Sequence, residues 1–372
     1  MSPSCPARVL IVGAGLIGTS IALALRQQGT EVWLSDRDLA TARLAADLGA
    51  GTVVPDLRDA KGIADVAVLA MPPVHVASGL ANAQDCAVAD VYTDVASVKA
   101  LPARQARELG CDLKTYVPGH PLAGREKNGP GAARADLFLG RTWALCPLPE
   151  NVPLAVDAVA GLALACGADL VRVDAASHDE WVALVSHAPH LVAVSMAARL
   201  AAPSVPPQAL RLAGQGLRDV TRIAAGDPAL WGQILTANAG PVADVLRDVA
   251  ADLTEAANAL TASAGPAAAG PMSAGPAVTQ LLTRGTAGVA RIPGKHGGTP
   301  PELTVVQVVI ADQPGELARL FNAAGDAGVN IEDIRIEHSP GLPVGVAELS
   351  VRPAAVGRLL EAMEAGGWPV RR

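Results

Sequence analysis

The chain has 372 residues, a length for two or three domains; half are apolar and 17% charged, so it can bury large cores and is too sparsely charged for a disordered polymer. Lys plus Arg at 29 against Asp plus Glu at 36 leaves a net −7, which disfavours binding to phosphate backbones, and nine aromatics (five Trp, two Tyr, two Phe) are too few for base-stacking platforms. The five cysteines are scattered without a C-x-x-C, which argues against a disulfide framework and a zinc site. No 18-residue apolar run is read in the chain, so a cytoplasmic protein is expected, with no membrane, nucleic-acid or metal partner.

From residue 8 to about 173, short β-branched runs alternate with helical stretches. Val9-Leu10-Ile11-Val12 reads as a strand buried on both faces, Leu16 to Gln28 as a helix with Gly29 after it. Glu31–Leu34, 65–69 and 88–91 read as further strands. Such alternation gives a parallel α/β sheet with right-handed crossovers, a Rossmann-type domain over 1–173. After Asp174 strand signals nearly vanish. Trp181, Leu184, Val185, Ala188, Leu191 and Val192 follow helical spacing, and Asp227-Pro228 opens a long helix, giving an all-helical domain over 174–283. Residues 263 to about 301 are rich in Ala, Gly, Pro and Ser and read as irregular, with the linker proper at 284–301. From 302 to 372 the order strand, helix, strand, strand, helix, strand predicts a ferredoxin-like βαββαβ domain.

Gly13-Ala14-Gly15-Leu16-Ile17-Gly18 follows the first strand and opens the first helix. Gly13 permits a tight turn, Gly15 close approach of a pyrophosphate, and Gly18 close helix–strand packing, with the helix N-terminus facing the phosphate charge. Asp36, just past the second strand, suits the adenine-ribose hydroxyls and repels a 2′-phosphate, favouring NAD over NADP; Arg37 beside it weakens that preference. His120, between Gly119 and Pro121 at the carboxyl edge of the sheet, is either a proton acceptor or a loop histidine stacked on Pro121; spacing leaves both open. Ser97, in Asp94-Val-Ala-Ser97-Val-Lys99, could hydrogen-bond His120 and fix its tautomer. Ser186-His187-Ala-Pro189-His190 is a poor metal pair and equally well a proline kink with polar contacts. Asp219 and Arg222 form either a solvated pair or a ligand-facing arginine.

Taken in order, GAGLIG with Asp36, DVASVK, GHPLAGREK, SHAPH and GLRDVTRIAAGDPALW resemble prephenate dehydrogenases, the arogenate/cyclohexadienyl dehydrogenase family of tyrosine biosynthesis, over about residues 8–260. The resemblance implies NAD-dependent oxidative decarboxylation of prephenate to 4-hydroxyphenylpyruvate, or of arogenate to tyrosine, by a homodimer. It implies that His120 accepts the hydrogen bond and proton of the ring 4-hydroxyl, with Ser97 orienting it. Arg222 would grip a substrate carboxylate, His190 would lie near the substrate side chain with His187 as its helical neighbour, Trp231 would line the pocket across the dimer, and Glu126 would stand at its mouth. Arg125 departs from the small hydroxyl residue often found there. The C-terminal segment, Asp312-Gln-Pro-Gly315 with Gly328-Val-Asn330-Ile331, resembles an ACT domain. That implies an effector loop at Asp312, Gly315 and Asn330, with tyrosine as ligand, or else a dimerisation module. Two other readings compete. A β-hydroxyacid dehydrogenase would want a helical-domain Lys, which 174–261 lacks. An inactive NAD- and amino-acid-binding regulator would need no proton acceptor beside the nicotinamide.

Overall fold

The computed structural model describes residues 4–124, 128–263, 275–292, 302–338 and 343–371, in two compact units, Met1–Thr254 and Glu255–Arg372. The first opens with β1 (Arg8–Val12), α1 (Leu16–Gln27), β2 (Glu31–Ser35), α2 (Leu39–Asp47), β3 (Thr52–Val53), β4 (Ala64–Leu69), α3 (Pro73–Asp85) and β5 (Ala89–Asp94). It continues through α4 (Ala100–Glu108), β6 (Tyr116–Pro121), β7 (Thr142–Leu145), α5 (Pro153–Ala165) and β8 (Asp169–Arg172). The strands form one eight-stranded sheet in the order β3-β2-β1-β4-β5-β6-β7-β8. Val9, Leu10 and Ile11 are wholly buried because helices cover both faces of the sheet, as the continuous apolar run requires. The order reverses between β1 and β4, and the glycine turn sits at that switch point, where open α/β sheets bind ligands.

The expectation of a purely parallel sheet needs one correction. β7 runs antiparallel to β6, pairing Gly119 with Leu145 and His120 with Ala144, and β8 runs parallel to β7. His120 is therefore inside a strand, fixed by a ladder, rather than in a loop beyond it.

The helical part comprises α6 (Ala175–Val182), a π-helical turn (Ala183–His187), α7 (Ala188–Leu200), α8 (Gln215–Thr221), α9 (Pro228–Ala237) and α10 (Ala239–Ser263). Asp174 and Asp227 cap α6 and α9 through their carboxylates, which accept from Ala176 and Ser177 and from Ala229 and Leu230. The helical run Ala175–Leu200 contains no unbroken apolar stretch of 18 residues, yet it reaches a mean hydropathy of 1.4 over 18 residues, 33% of them buried, long and apolar enough by length and composition to cross a membrane. It also carries the buried polar groups His178, Asp179, His187 and His190.

In the second unit the Gly/Pro-rich segment is not irregular throughout, since α11 spans Gly275–Val289. Beyond it lie β9 (Thr304–Ala311), α12 (Glu316–Asp326), β10 (Asp333–His338), β11 (Val344–Val351), α13 (Val356–Ala365) and β12 (Val370–Arg371). The sheet order β10-β11-β9-β12, antiparallel throughout, is the expected βαββαβ topology. Buried Leu320, Ala324, Leu359 and Met363 of its two helices share a core with Val306, Val308 and Leu349. Glu316 locks the end of α12: its carboxylate accepts from Trp368 Nε1 at 2.6 Å and Arg319 at 2.7 Å, and these donors hold its pKa down at about 2.

Candidate active site

The glycine turn fits a dinucleotide for reasons of space. A Cβ on Gly13 would lie 2.2 Å from the Ala70 carbonyl oxygen at φ +109°, and one on Gly18 would lie 2.0 Å from the Gly13 carbonyl oxygen. Gly15 has nothing within 4 Å of its missing Cβ and caps α1 without a side-chain bond, so the helix N-terminus offers bare N–H groups to open space. Gly15, Leu16, Ile17 and Gly18 line a cavity of about 710 Å³. Asp36 buttresses the turn from outside that lining: its carboxylate accepts from Ala14 N at 2.7 Å and Asp38 N at 2.9 Å.

The same cavity is also lined by Ser97, His120, His187, Leu230 and Trp231. His120 Nδ1 lies 3.0 Å from His178 Nε2, and His178 Nδ1 lies 2.8 Å from Asp179 Oδ1. Asp179 accepts in turn from the backbone N–H groups of Lys99 at 2.8 Å and Ala100 at 2.9 Å, capping α4, whose own N-cap residue supplies no side-chain bond. Ser97 Oγ, expected to orient His120, is buried without a hydrogen-bond partner among the described residues, and His120 Nδ1 meets His178 instead. The sequence reading missed His178 and Asp179. Both lie on the buried face of α6 with Val182, where polar residues are costly unless paired, but that face shows only in the structure.

Beneath His120, Lys99 is completely buried with its ammonium on the Asp94 carboxylate and 2.5 Å from the Gly119 carbonyl oxygen. Asp94 also accepts from Tyr116 Oη at 2.7 Å and Ala96 N at 2.9 Å. Burial, and then the positive charge that would have to develop beside His178, Lys99 and His187, hold the His120 imidazole well below its ordinary value. It is thus a neutral base at pH 7.

His187 Nδ1 is 3.1 Å from Asn238 Nδ2, which also donates to the Asp179 carbonyl at 2.7 Å, and burial lowers the His187 pKa to about 4. His190 stacks on Trp231, ring centres 3.5 Å apart and 6° from parallel, outside the cavity lining. Gly226 makes this possible, because a Cβ there would be 2.4 Å from Trp231 Nε1. Trp231 lines the cavity of its own chain. Arg222 heads an exposed turn (Arg222–Ala225) and is not among the residues lining the cavity; Asp219 accepts from Gln215 at 2.8 Å. Asp312, Gly315 and Asn330 belong to the second unit: Gly315 caps α12 at φ +87°, and Asn330 Nδ2 donates to Glu332 at 3.2 Å. Glu126 lies outside the described residues.

A phosphate-accepting glycine turn and a neutral imidazole facing one cavity define an NAD-dependent oxidoreductase. The particular family follows from comparison. Residues 21–172 match the family model described as prephenate dehydrogenase, nucleotide-binding domain, and residues 174–269 that described as prephenate dehydrogenase, dimerization domain. The chain is 40% identical over 364 residues to a probable prephenate dehydrogenase of Streptomyces niveus, covering 97% of this chain and 98% of that one. It is 32% identical over 261 residues to a cyclohexadienyl dehydrogenase of Zymomonas mobilis, covering 68% and 88%. Among solved structures it resembles an Aquifex aeolicus prephenate dehydrogenase in complex with hydroxyphenyl propionate and NAD+, with a TM-score of 0.66, 25% identity and coverage of 76% and 97%. A Synechocystis arogenate dehydrogenase gives a TM-score of 0.62 at 25% identity, covering 76% and 98%. The chain belongs to the prephenate dehydrogenase family.

Proposed function

We propose that this chain oxidatively decarboxylates prephenate to 4-hydroxyphenylpyruvate, with arogenate, converted to tyrosine, as the alternative substrate. The observation that carries the reading is the shared cavity, lined by the glycine turn and by His120 together. Gly13, Gly15 and Gly18 would hold NAD+, with Asp36 as partner for its ribose, and the nicotinamide would supply the two-electron acceptor for the ring carbon that bears the hydroxyl. His120 takes the hydroxyl proton as that carbon is oxidised; the ring's carboxylate bond breaks, carbon dioxide leaves and the ring becomes aromatic. Aromatisation supplies the driving force, so the residues' task is placement and proton control. A positioned base contributes about 10²–10⁴-fold.

Ser97, His187 and Trp231 bound the substrate space, with His190 fixing the Trp231 plane. Arg222 and Glu126 are assigned to substrate binding on the resemblance alone, and so is a tyrosine site at Asp312, Gly315 and Asn330 in an ACT-type domain. The chain works in the cytoplasm as a homodimer; exposed Trp181, Leu184 and Met196 on the helical run support the dimer. NADH absorbance on adding prephenate, then arogenate, to enzyme and NAD+ tests the reading. NADH growth with one of them is expected, and none with either refutes it.

A further inference from the structure

We infer that His178 is a positioning residue for this reaction, holding His120 in the tautomer whose bare Nε2 faces the cavity. The inference rests on the proposed dehydrogenase reading for its kinetic part, and on the hydrogen-bond chain alone for the tautomer. The Asp179 carboxylate can only accept, so His178 Nδ1 carries the hydrogen of their 2.8 Å bond. A neutral His178 then presents a lone pair at Nε2. Two lone pairs cannot meet at 3.0 Å, so His120 Nδ1 carries the hydrogen of the second bond and its Nε2 is left unprotonated. With the opposite polarity, a proton on both nitrogens of His178, His120 Nε2 would carry hydrogen and meet the substrate hydroxyl as a donor, unable to take its proton.

The anchor of this chain is as well built as the chain itself. Asp179 is 4% exposed and is held by two successive backbone N–H groups at the start of α4, just after the Ser97 segment. Asn238 Nδ2 bonds the Asp179 carbonyl, fixing the same helical turn from the opposite side. His178 itself is 2% exposed, so no water competes for either ring nitrogen. The reacting imidazole is thus oriented from the helical segment, through a residue that does not line the cavity.

Two measurements test this. Nitrogen-detected proton spectra of the ¹⁵N-histidine-labelled full chain, with His120→Asn and His178→Gln spectra for assignment, report the tautomer without any substrate. Hydrogen on Nδ1 and none on Nε2 of His120 is expected; hydrogen on Nε2 overturns the inference whether or not the enzyme turns over. In steady-state assays, His178→Leu should lower kcat about ten- to hundredfold with KM within about threefold, and His178→Gln, which keeps an acceptor, should recover most of it. Wild-type kcat in His178→Leu overturns the inference. If His178→Leu fails to fold, the wild-type tautomer and the kcat of His178→Gln, expected within about fivefold of wild type, decide. Absent turnover in the wild type itself would refute the dehydrogenase reading and leave the tautomer result standing.

Discussion

Replacing Lys99 by Met probes the charge on which the catalytic strand rests. The ammonium is wholly buried against the Asp94 carboxylate and the Gly119 carbonyl. Methionine fills a similar volume, so the loss is electrostatic: Asp94 keeps Tyr116 Oη and Ala96 N as donors but its charge is left uncompensated. Removing one partner of a buried pair costs about 3–5 kcal/mol. At about 2–4 °C per kcal/mol for a unit of this size, the melting temperature should fall by about 6–20 °C. Adding Asp94→Asn, which removes the orphan charge but keeps an acceptor, should recover a large part of the loss. The Lys99 cation also lowers the His120 pKa, so in the surviving folded fraction the acid limb of kcat should move to higher pH. A Lys99→Met protein melting within about 2 °C of wild type would show that the pair does not carry the charge balance of the site.

His120→Asn should lower kcat by about 10²–10⁴-fold with KM little changed, measured by NADH production; a raised KM with kcat unchanged would assign His120 to binding. His187, held at about 4 against about 6.5 in the unfolded chain, binds its proton more weakly when folded, so its contribution to stability is complete above pH 6.5 and shrinks as pH falls toward 4. That amounts to about 3 kcal/mol by pH 4; urea unfolding at pH 7 and pH 4.5 should show a smaller loss for His187→Gln than for wild type, and equal losses would refute it. Asp36→Ala removes the acceptor of Ala14 N as well as the proposed ribose partner, so the ratio of kcat/KM for NAD to that for NADP should fall about tenfold or more, and an unchanged ratio would leave Asp36 a purely structural brace.

What could be read from sequence was what local pattern encodes. Three glycines after an apolar run define the cofactor turn because each is forced by a close approach or left open for a ligand. The second unit's topology was legible because its strands alternate buried and open residues, as β9 and β11 do along their whole length. The reversal of β7 escaped notice because antiparallel pairing next to a parallel sheet leaves no mark in a four-residue strand. α11 was hidden by the Gly/Pro-rich composition around it. The His120 partner was missed for a different reason: His178 is 58 positions away, and Asp179 meets Lys99 N across 80, separations at which sequence spacing carries no information.

The helix bearing those partners shows how one irregular turn assembles the site. His178 and His187 are nine residues apart, which on a regular helix at about 100° per residue puts them roughly half a turn out of phase. Pro189, four residues past Val185, cannot donate to the Val185 carbonyl, and its ring would crowd that carbonyl in a regular helix. The π-turn at Ala183–His187 lies just ahead of it and takes up one extra residue. That insertion winds the helix back by about 100°, bringing His187 round to less than a quarter turn from His178. Asn238 exploits the result, reaching both the Asp179 carbonyl and His187 Nδ1 with one amide nitrogen. The proline in Ser186-His187-Ala188-Pro189-His190 is therefore no incidental kink. By forcing the register change it sets the His178 relay and the His187 wall on one side of a single helix, close enough that each raises the cost of a second positive charge near His120.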